Sequence, residues 1–214
     1  MYSKGNFLKE YFITPDFIYS LEVSKHVCNK FGLAEFFAKN CKSLQSGLRV
    51  LDVGCGVGPI SIFLAHIFNA KVTAVDLDGR ACNLCRLNSL KYHLDIHVKN
   101  INFADFKDNK FDLIISNPPI NFSGSGNTIN EYKDKDGRDL IDYIFLYAKK
   151  NKIKNIILIA CDKNFDTKSL ILDKIKCYNF CTTKFISQQI FEQNLGTKGD
   201  ANGFIFEISN NNIN

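Results

Sequence analysis

From residue 48 to residue 177 the chain switches hydrophobic period repeatedly. LRVLDVG (48–54), KVTAVD (71–76), DIHVKN (95–100), FDLIISN (111–117) and KNIILIAC (154–161) are short runs rich in β-branched residues. Between and after them PISIFLAHIF (59–68), GRACNLCRLNSLKYH (79–93), DLIDYIFLYAKK (139–150) and TKSLILDKIKC (167–177) carry apolar residues at helical spacing. Strands alternating with helices of this length specify βαβ units, and so an α/β, doubly wound, mostly parallel sheet. The rhythm breaks at NFCTTKFIS (179–187) and NGFIFEIS (202–209), two strand patterns with no helix between them. They predict an antiparallel C-terminal strand and bring the sheet to seven strands.

Ahead of this region, Thr14-Pro15 has the form of a helix start, with threonine as N-cap and proline at the first helical position. DFIYSLEVSKHVCNKF continues at helical spacing until Gly32, and a second short helix is expected over 33–41. The organisation expected is a helical extension over 1–45 and one compact domain over 46–214. The polar, glycine-bearing segment 121–137 is a long loop, of the kind that serves function in a compact domain.

Two motifs carry chemistry. The strand VLDV enters Gly54-Cys55-Gly56-Val57-Gly58, with Pro59 opening a helix. Glycines there let the backbone turn sharply and approach a ligand without Cβ clashes. The spacing is tighter by one residue than the dinucleotide fingerprint and is led by Asp52. Asp76 ends the next strand, where a carboxylate can accept both hydroxyls of a ribose. The second motif is Asn117-Pro118-Pro119. Two prolines cannot extend the strand before them, so the chain leaves it as a stiff turn headed by an amide.

LDVGCGVGPISI followed by AVD resembles motifs I and II of the class I S-adenosylmethionine (AdoMet) methyltransferases, and ISNPPI resembles motif IV of the small-domain branch that methylates planar nitrogens. The resemblance covers residues 48–160 and implies a Rossmann-like methyltransferase fold, with AdoMet as cofactor and S-adenosylhomocysteine as product. It implies Asp52, Gly54, Gly56, Asp76 and Leu77 as cofactor-binding residues. Asn102 and Phe103 follow at the adenine, with Asp105 as the rival of Asn102. It implies Asn117, Pro118 and Pro119 as the catalytic turn, in which the Asn117 oxygen and the Pro118 carbonyl accept hydrogen bonds from a target NH₂.

The acceptor is divided. Ile120 and Gly-Pro-Ile (58–60) resemble the enzymes that methylate rRNA guanine N2, DGRDLIDYI (136–144) resembles the glutamine-N5 release-factor enzymes, and Thr14-Pro15 in YFITPDF resembles motif X of the adenine-N6 enzymes. An exocyclic base amine of rRNA or tRNA is the leading expectation, with a ribosomal or translation-factor glutamine or a small molecule as alternatives. A net charge of +5, with lysines gathered at 149–154 and 163–176, permits a polyanionic substrate.

No apolar run approaches the ~20 residues of a membrane span, and MYSKGNFLKEYF lacks the zones of a signal peptide. A cytoplasmic protein without membrane attachment is expected. Eight cysteines then read as small buried hydrophobes. Cys82-x-x-Cys85 with Cys177 and Cys181 does not have the spacing of a double zinc knuckle, and no metal is expected.

Overall fold

The computed structural model describes residues 8–27, 31–42, 44–118, 140–162, 167–190 and 201–211. The strands are β1 (Leu8–Ile13), β2 (Ile18–Val23), β3 (Arg49–Val53), β4 (Lys71–Asp76), β5 (His97–Asn100), β6 (Leu113–Ser116), β7 (Asn155–Asp162), β8 (Phe180–Ile190) and β9 (Ala201–Asn210). The helices are α1 (Gly32–Asn40), α2 (Pro59–Phe68), α3 (Gly79–Lys91), α4 (Leu140–Lys150) and α5 (Thr167–Cys177).

β3 to β9 form one sheet in the order β5-β4-β3-β6-β7-β9-β8. β5, β4, β3, β6 and β7 are parallel, and β9 runs antiparallel between β7 and β8. The alternation that specified βαβ units thus gives the expected seven-stranded sheet with an antiparallel final strand. Both faces of its central strands are buried, as a parallel sheet covered by crossover helices requires. β7 shows this residue by residue. Ile157 and Ile159 pack in one apolar cluster with residues of α1, α2 and α3, while Ile156 and Leu158 pack in another with Ile144, Phe145, Ile171 and Ile175 of α4 and α5. Burying each such side chain stabilises the fold by about 1.5–3 kcal/mol.

The strand order reverses between β3 and β6: β4 and β5 lie to one side, β6 and β7 to the other. In open α/β sheets that crevice, at the carboxyl ends of the strands, is where ligands bind.

The N-terminal segment departs from its expected helix. Residues 8–23 form an antiparallel hairpin, β1 with β2, in the register Phe12 opposite Tyr19 and Ile13 opposite Ile18. Thr14 does cap, but what it closes is a tight turn: its hydroxyl donates to the Phe17 carbonyl at 2.8 Å and accepts from the Phe17 amide at 3.0 Å. In β2 the buried Tyr19, Leu21 and Val23 alternate with more exposed residues, a period of two. The second expected helix, over 33–41, is α1.

Candidate functional site

The glycine turn follows β3 directly. Gly54, Gly56 and Gly58 have φ of +75°, +55° and +92°, which L side chains rarely adopt. Each glycine then has its own surroundings. A Cβ on Gly56 would meet nothing within 4 Å, so that part of the turn faces open space. A Cβ on Gly58 would lie 2.7 Å from Sγ of Cys85, so this glycine exists to let α3 approach. The Gly54 and Cys55 amides both donate to the Val75 carbonyl, at 2.8 and 3.1 Å, anchoring the turn to the adjacent strand.

Asp76 closes β4 beside this turn. Oδ2 accepts from the Gly56 amide and Oδ1 from the Asp78 amide, both at 2.9 Å. Each oxygen keeps a lone pair for a further donor. Burial raises the Asp76 pKa, and the backbone donors Asp78 and Gly56 oppose the rise. Leu77, next in sequence, is an exposed apolar side chain at 39%. Asn100, at the end of β5, donates to the carbonyls of Asp76 and Leu77 at 3.1 and 2.8 Å and so fixes their orientation. Sequence reasoning missed Asn100; its position at a strand end beside the Asp76 strand was the available signal.

Asp52 lies under the turn, 1% exposed, and accepts from the Ser61 hydroxyl at 2.6 Å. Burial pushes its carboxyl up to about 7; the Ser61 bond opposes this and the Asp76 charge adds to it.

β6 pairs with β3 so that Ser116 is opposite Val53. Asn117 and Gly54, each one residue further, therefore leave neighbouring strands side by side. Asn117 is partly buried and Pro118 buried. Pro119, Ile120 and the 121–137 loop lie outside the described residues.

At the end of β5, Asn102 is exposed, and its Oδ1 accepts from the Ala104 amide, capping a short 3-10 turn over Phe103–Asp105. Phe103 is buried, its ring stacked on Phe106 with centroids 5.9 Å apart. Asp105 is exposed. The structure thus gathers Asp52, Gly54, Gly56, Asp76, Leu77 and Asn117 at one edge of the sheet, and turns Phe103 into the core.

This edge has a recognisable family. Residues 33–131 match the model of the family described as "Methyltransferase small domain". Those residues are a methyltransferase small domain. The fold is that of the class I methyltransferases. The tRNA (uracil-54, C5)-methyltransferase of Pyrococcus abyssi, solved in complex with S-adenosyl-L-homocysteine, superposes with a TM-score of 0.67 at 16% identity, over 95% of this chain and 44% of that one. Among curated proteins, the ribosomal protein L11 methyltransferase of Thermotoga neapolitana is 38% identical over 85 residues, 40% of this chain and 31% of its own. The release factor glutamine methyltransferase of Streptococcus pneumoniae is 37% identical over 79 residues, 36% of this chain and 28% of its own. The chain thus spans about a third of the length of these curated relatives. The small domain holds the glycine turn, Asp76 and Asn117; the β1–β2 hairpin lies outside the matched residues.

The cysteines among the described residues form no disulfide with one another. None of the described residues forms a group of three His, Cys, Asp or Glu side chains able to hold a metal ion. No helix among them is long and apolar enough to cross a membrane.

Proposed function

We propose that the chain is an AdoMet-dependent N-methyltransferase acting on a planar nitrogen, with an exocyclic base amine of rRNA or tRNA as acceptor. The observation that carries this is the side-by-side exit of Gly54 and Asn117 from β3 and β6, set by the Val53–Ser116 register. It supports a reading in which the glycine turn and Asn117 serve one crevice.

The residues fit AdoMet. The open space at Gly56 would receive its methionine portion, with Asp52 beneath; the spare lone pairs of Asp76 would accept the ribose hydroxyls; Leu77 would offer an apolar surface to the adenine. AdoMet supplies a methyl group made electrophilic by its sulfonium.

The protein's part is placement. A base amine is a poor nucleophile because its lone pair is delocalised into the ring. With Asn117 Oδ1 and the Pro118 carbonyl accepting its two N–H groups, the nitrogen becomes more pyramidal and its lone pair points toward the methyl. On transfer the nitrogen would gain the methyl group as the sulfonium leaves as a thioether, and the amine proton, made acidic, would pass to water. No strong base is required, and positioning with fixed dipoles carries the acceleration. Asn102 and Phe103 contribute from the rim and from beneath it: Asn102 shapes the turn on the adenine side and Phe103 supports it from the core.

Ile120 and Gly-Pro-Ile (58–60) support an RNA acceptor, which the +5 charge permits. Lys149, Lys150, Lys152 and Lys154 do not contribute at the crevice, because they precede β7 and so lie at the opposite edge of the parallel sheet. A second reading, a protein acceptor, is favoured by the relatives named for ribosomal protein L11 and for release factor glutamine, the latter pointing to a side-chain amide. Incubating the protein and radiolabelled AdoMet with total RNA and with total protein from a methylation-deficient strain separates the two. Label in RNA is expected; label only in protein would replace this acceptor with the second. Under both readings we propose a cytoplasmic enzyme that serves the translation machinery.

A further inference from the structure

The β1–β2 hairpin, outside the matched family residues, is bound to the glycine turn through one side chain. Asn88 is on α3 and wholly buried. Its Oδ1 accepts from the Glu22 amide at 2.7 Å, and its Nδ2 donates to the Glu22 carbonyl at 3.0 Å. The side-chain amide thus pairs with Glu22 as a neighbouring strand would, on the edge of β2 away from β1. One turn along the same helix face, Tyr92 treats Ser20 likewise: its hydroxyl accepts from the Ser20 amide at 2.6 Å and donates to the Ser20 carbonyl at 3.1 Å.

The Asn88 amide has one more N–H, and that donates to the carbonyl of Val57 at 3.0 Å. Val57 lies between Gly56, whose amide reaches Asp76, and Gly58, whose amide donates to the Cys55 carbonyl at 3.0 Å. The turn is therefore pinned at three consecutive residues, and the middle pin is held by a side chain that the hairpin also occupies. This matters most for a glycine-rich turn. Its backbone has the most freedom to lose, and a turn that is not held beforehand must be ordered at the moment of binding.

We propose that Asn88 is a positioning residue for cofactor binding, and that it makes the hairpin 8–23 a working part of the cofactor site. Its donor-acceptor set cannot be replaced. Aspartate could accept from Glu22 but would set carboxylate oxygen against the carbonyls of Glu22 and Val57, and leucine could do neither. The inference rests on the reading of the glycine turn as an AdoMet site.

The test is calorimetric titration of S-adenosylhomocysteine into the wild type, Asn88→Asp and Tyr19→Phe, with thermal unfolding of each. Tyr19 bonds through its hydroxyl to Nδ1 of His66 at 2.8 Å, a tie between the hairpin and α2 that does not touch the turn. Asn88→Asp should bind about tenfold more weakly or worse, the scale of one or more lost buried hydrogen bonds. Tyr19→Phe should lose thermal stability yet bind within about twofold of the wild type. Asn88→Asp binding as the wild type does, or Tyr19→Phe losing as much affinity, would overturn the inference while leaving the cofactor site intact. A wild type that binds no S-adenosylhomocysteine overturns the cofactor reading and this inference together. Should Asn88→Asp fail to fold, hydrogen exchange in the wild type decides: the ligand should slow exchange of the Glu22 amide together with the turn amides. No slowing at Glu22 overturns the coupling.

Discussion

The hydroxyl of Ser116, wholly buried, donates to the carbonyl of Val53 at 2.7 Å. The residue before Asn117 is thereby tied to the residue before Gly54, and the two turns of the crevice keep a fixed separation. Ser116→Ala cuts this tie without touching either turn. We predict that kcat falls about tenfold, since small misplacements of reacting groups are costly, while the dissociation constant for S-adenosylhomocysteine stays within about twofold. Steady-state kinetics with calorimetry would show it. Unchanged kcat would mean that the strand pairing alone sets the separation.

Asp76→Asn replaces one carboxylate oxygen by an NH₂ group that faces either the Gly56 or the Asp78 amide, donor against donor. The ribose proposed to bind there would lose an acceptor as well. S-adenosylhomocysteine should bind about 10- to 100-fold more weakly, on the scale of 1.5–3 kcal/mol for a charged hydrogen bond. Calorimetric titration checks it, and an unchanged affinity would place the ribose elsewhere.

Gly58→Ala brings two costs that can be separated. A Cβ at φ +92° is strained by about 1–2 kcal/mol, and at 2.7 Å from the Cys85 sulfur something must move. Together these should remove about 2–4 kcal/mol from the unfolding free energy in urea. Pairing it with Cys85→Ala should recover the steric part and leave the strain. Equal losses with Cys85 intact and in the Cys85→Ala background would show that α3 approach is not the reason for this glycine.

Asp52 gives the ligand-free protein a pH dependence of defined sign. Its carboxyl stands at about 7 in the fold against 3.8 for an ordinary aspartate, chiefly through burial. Between these pH values the folded protein holds a proton that the unfolded chain has released. Its contribution to stability is therefore full below pH ~4 and lost as pH rises through ~7, at up to about 1.4 kcal/mol per pH unit. Asp52→Asn should flatten the fall in urea stability between pH ~5 and ~7. The same slope in both proteins would assign the pH dependence to other groups.

Most of the sheet was legible because its strands are buried on both faces and its helices carry one apolar stripe, so period and length agree. The hairpin was not. Phe17, Ile18, Leu21 and neighbouring apolar residues fit a helical stripe as well as a strand alternation, and Thr-Pro begins turns as well as helices. What decides between them is tertiary: α3 and its C-cap supply Asn88 and Tyr92 to the open edge of β2. For the same reason Asn88, Asn100 and Ser116 escaped notice. Each acts on a backbone group distant in sequence, and a single asparagine or serine carries no periodic signal. Glycines, Asp76 and Asn117 could be read because each ends a strand at the crevice edge. Phe103 shares that position, but its apolar ring belongs to the core.

Asn117 carries the central claim. Asn117→Ala removes the side chain proposed to accept from the target nitrogen and leaves the glycine turn, Asp52 and Asp76 as they are. The direct measurement is single-turnover methyl transfer to the acceptor labelled by the wild type, with S-adenosylhomocysteine affinity measured on the same preparation. The account predicts at least about a hundredfold loss of transfer with affinity within about twofold of the wild type. Wild-type transfer by the alanine variant would contradict it.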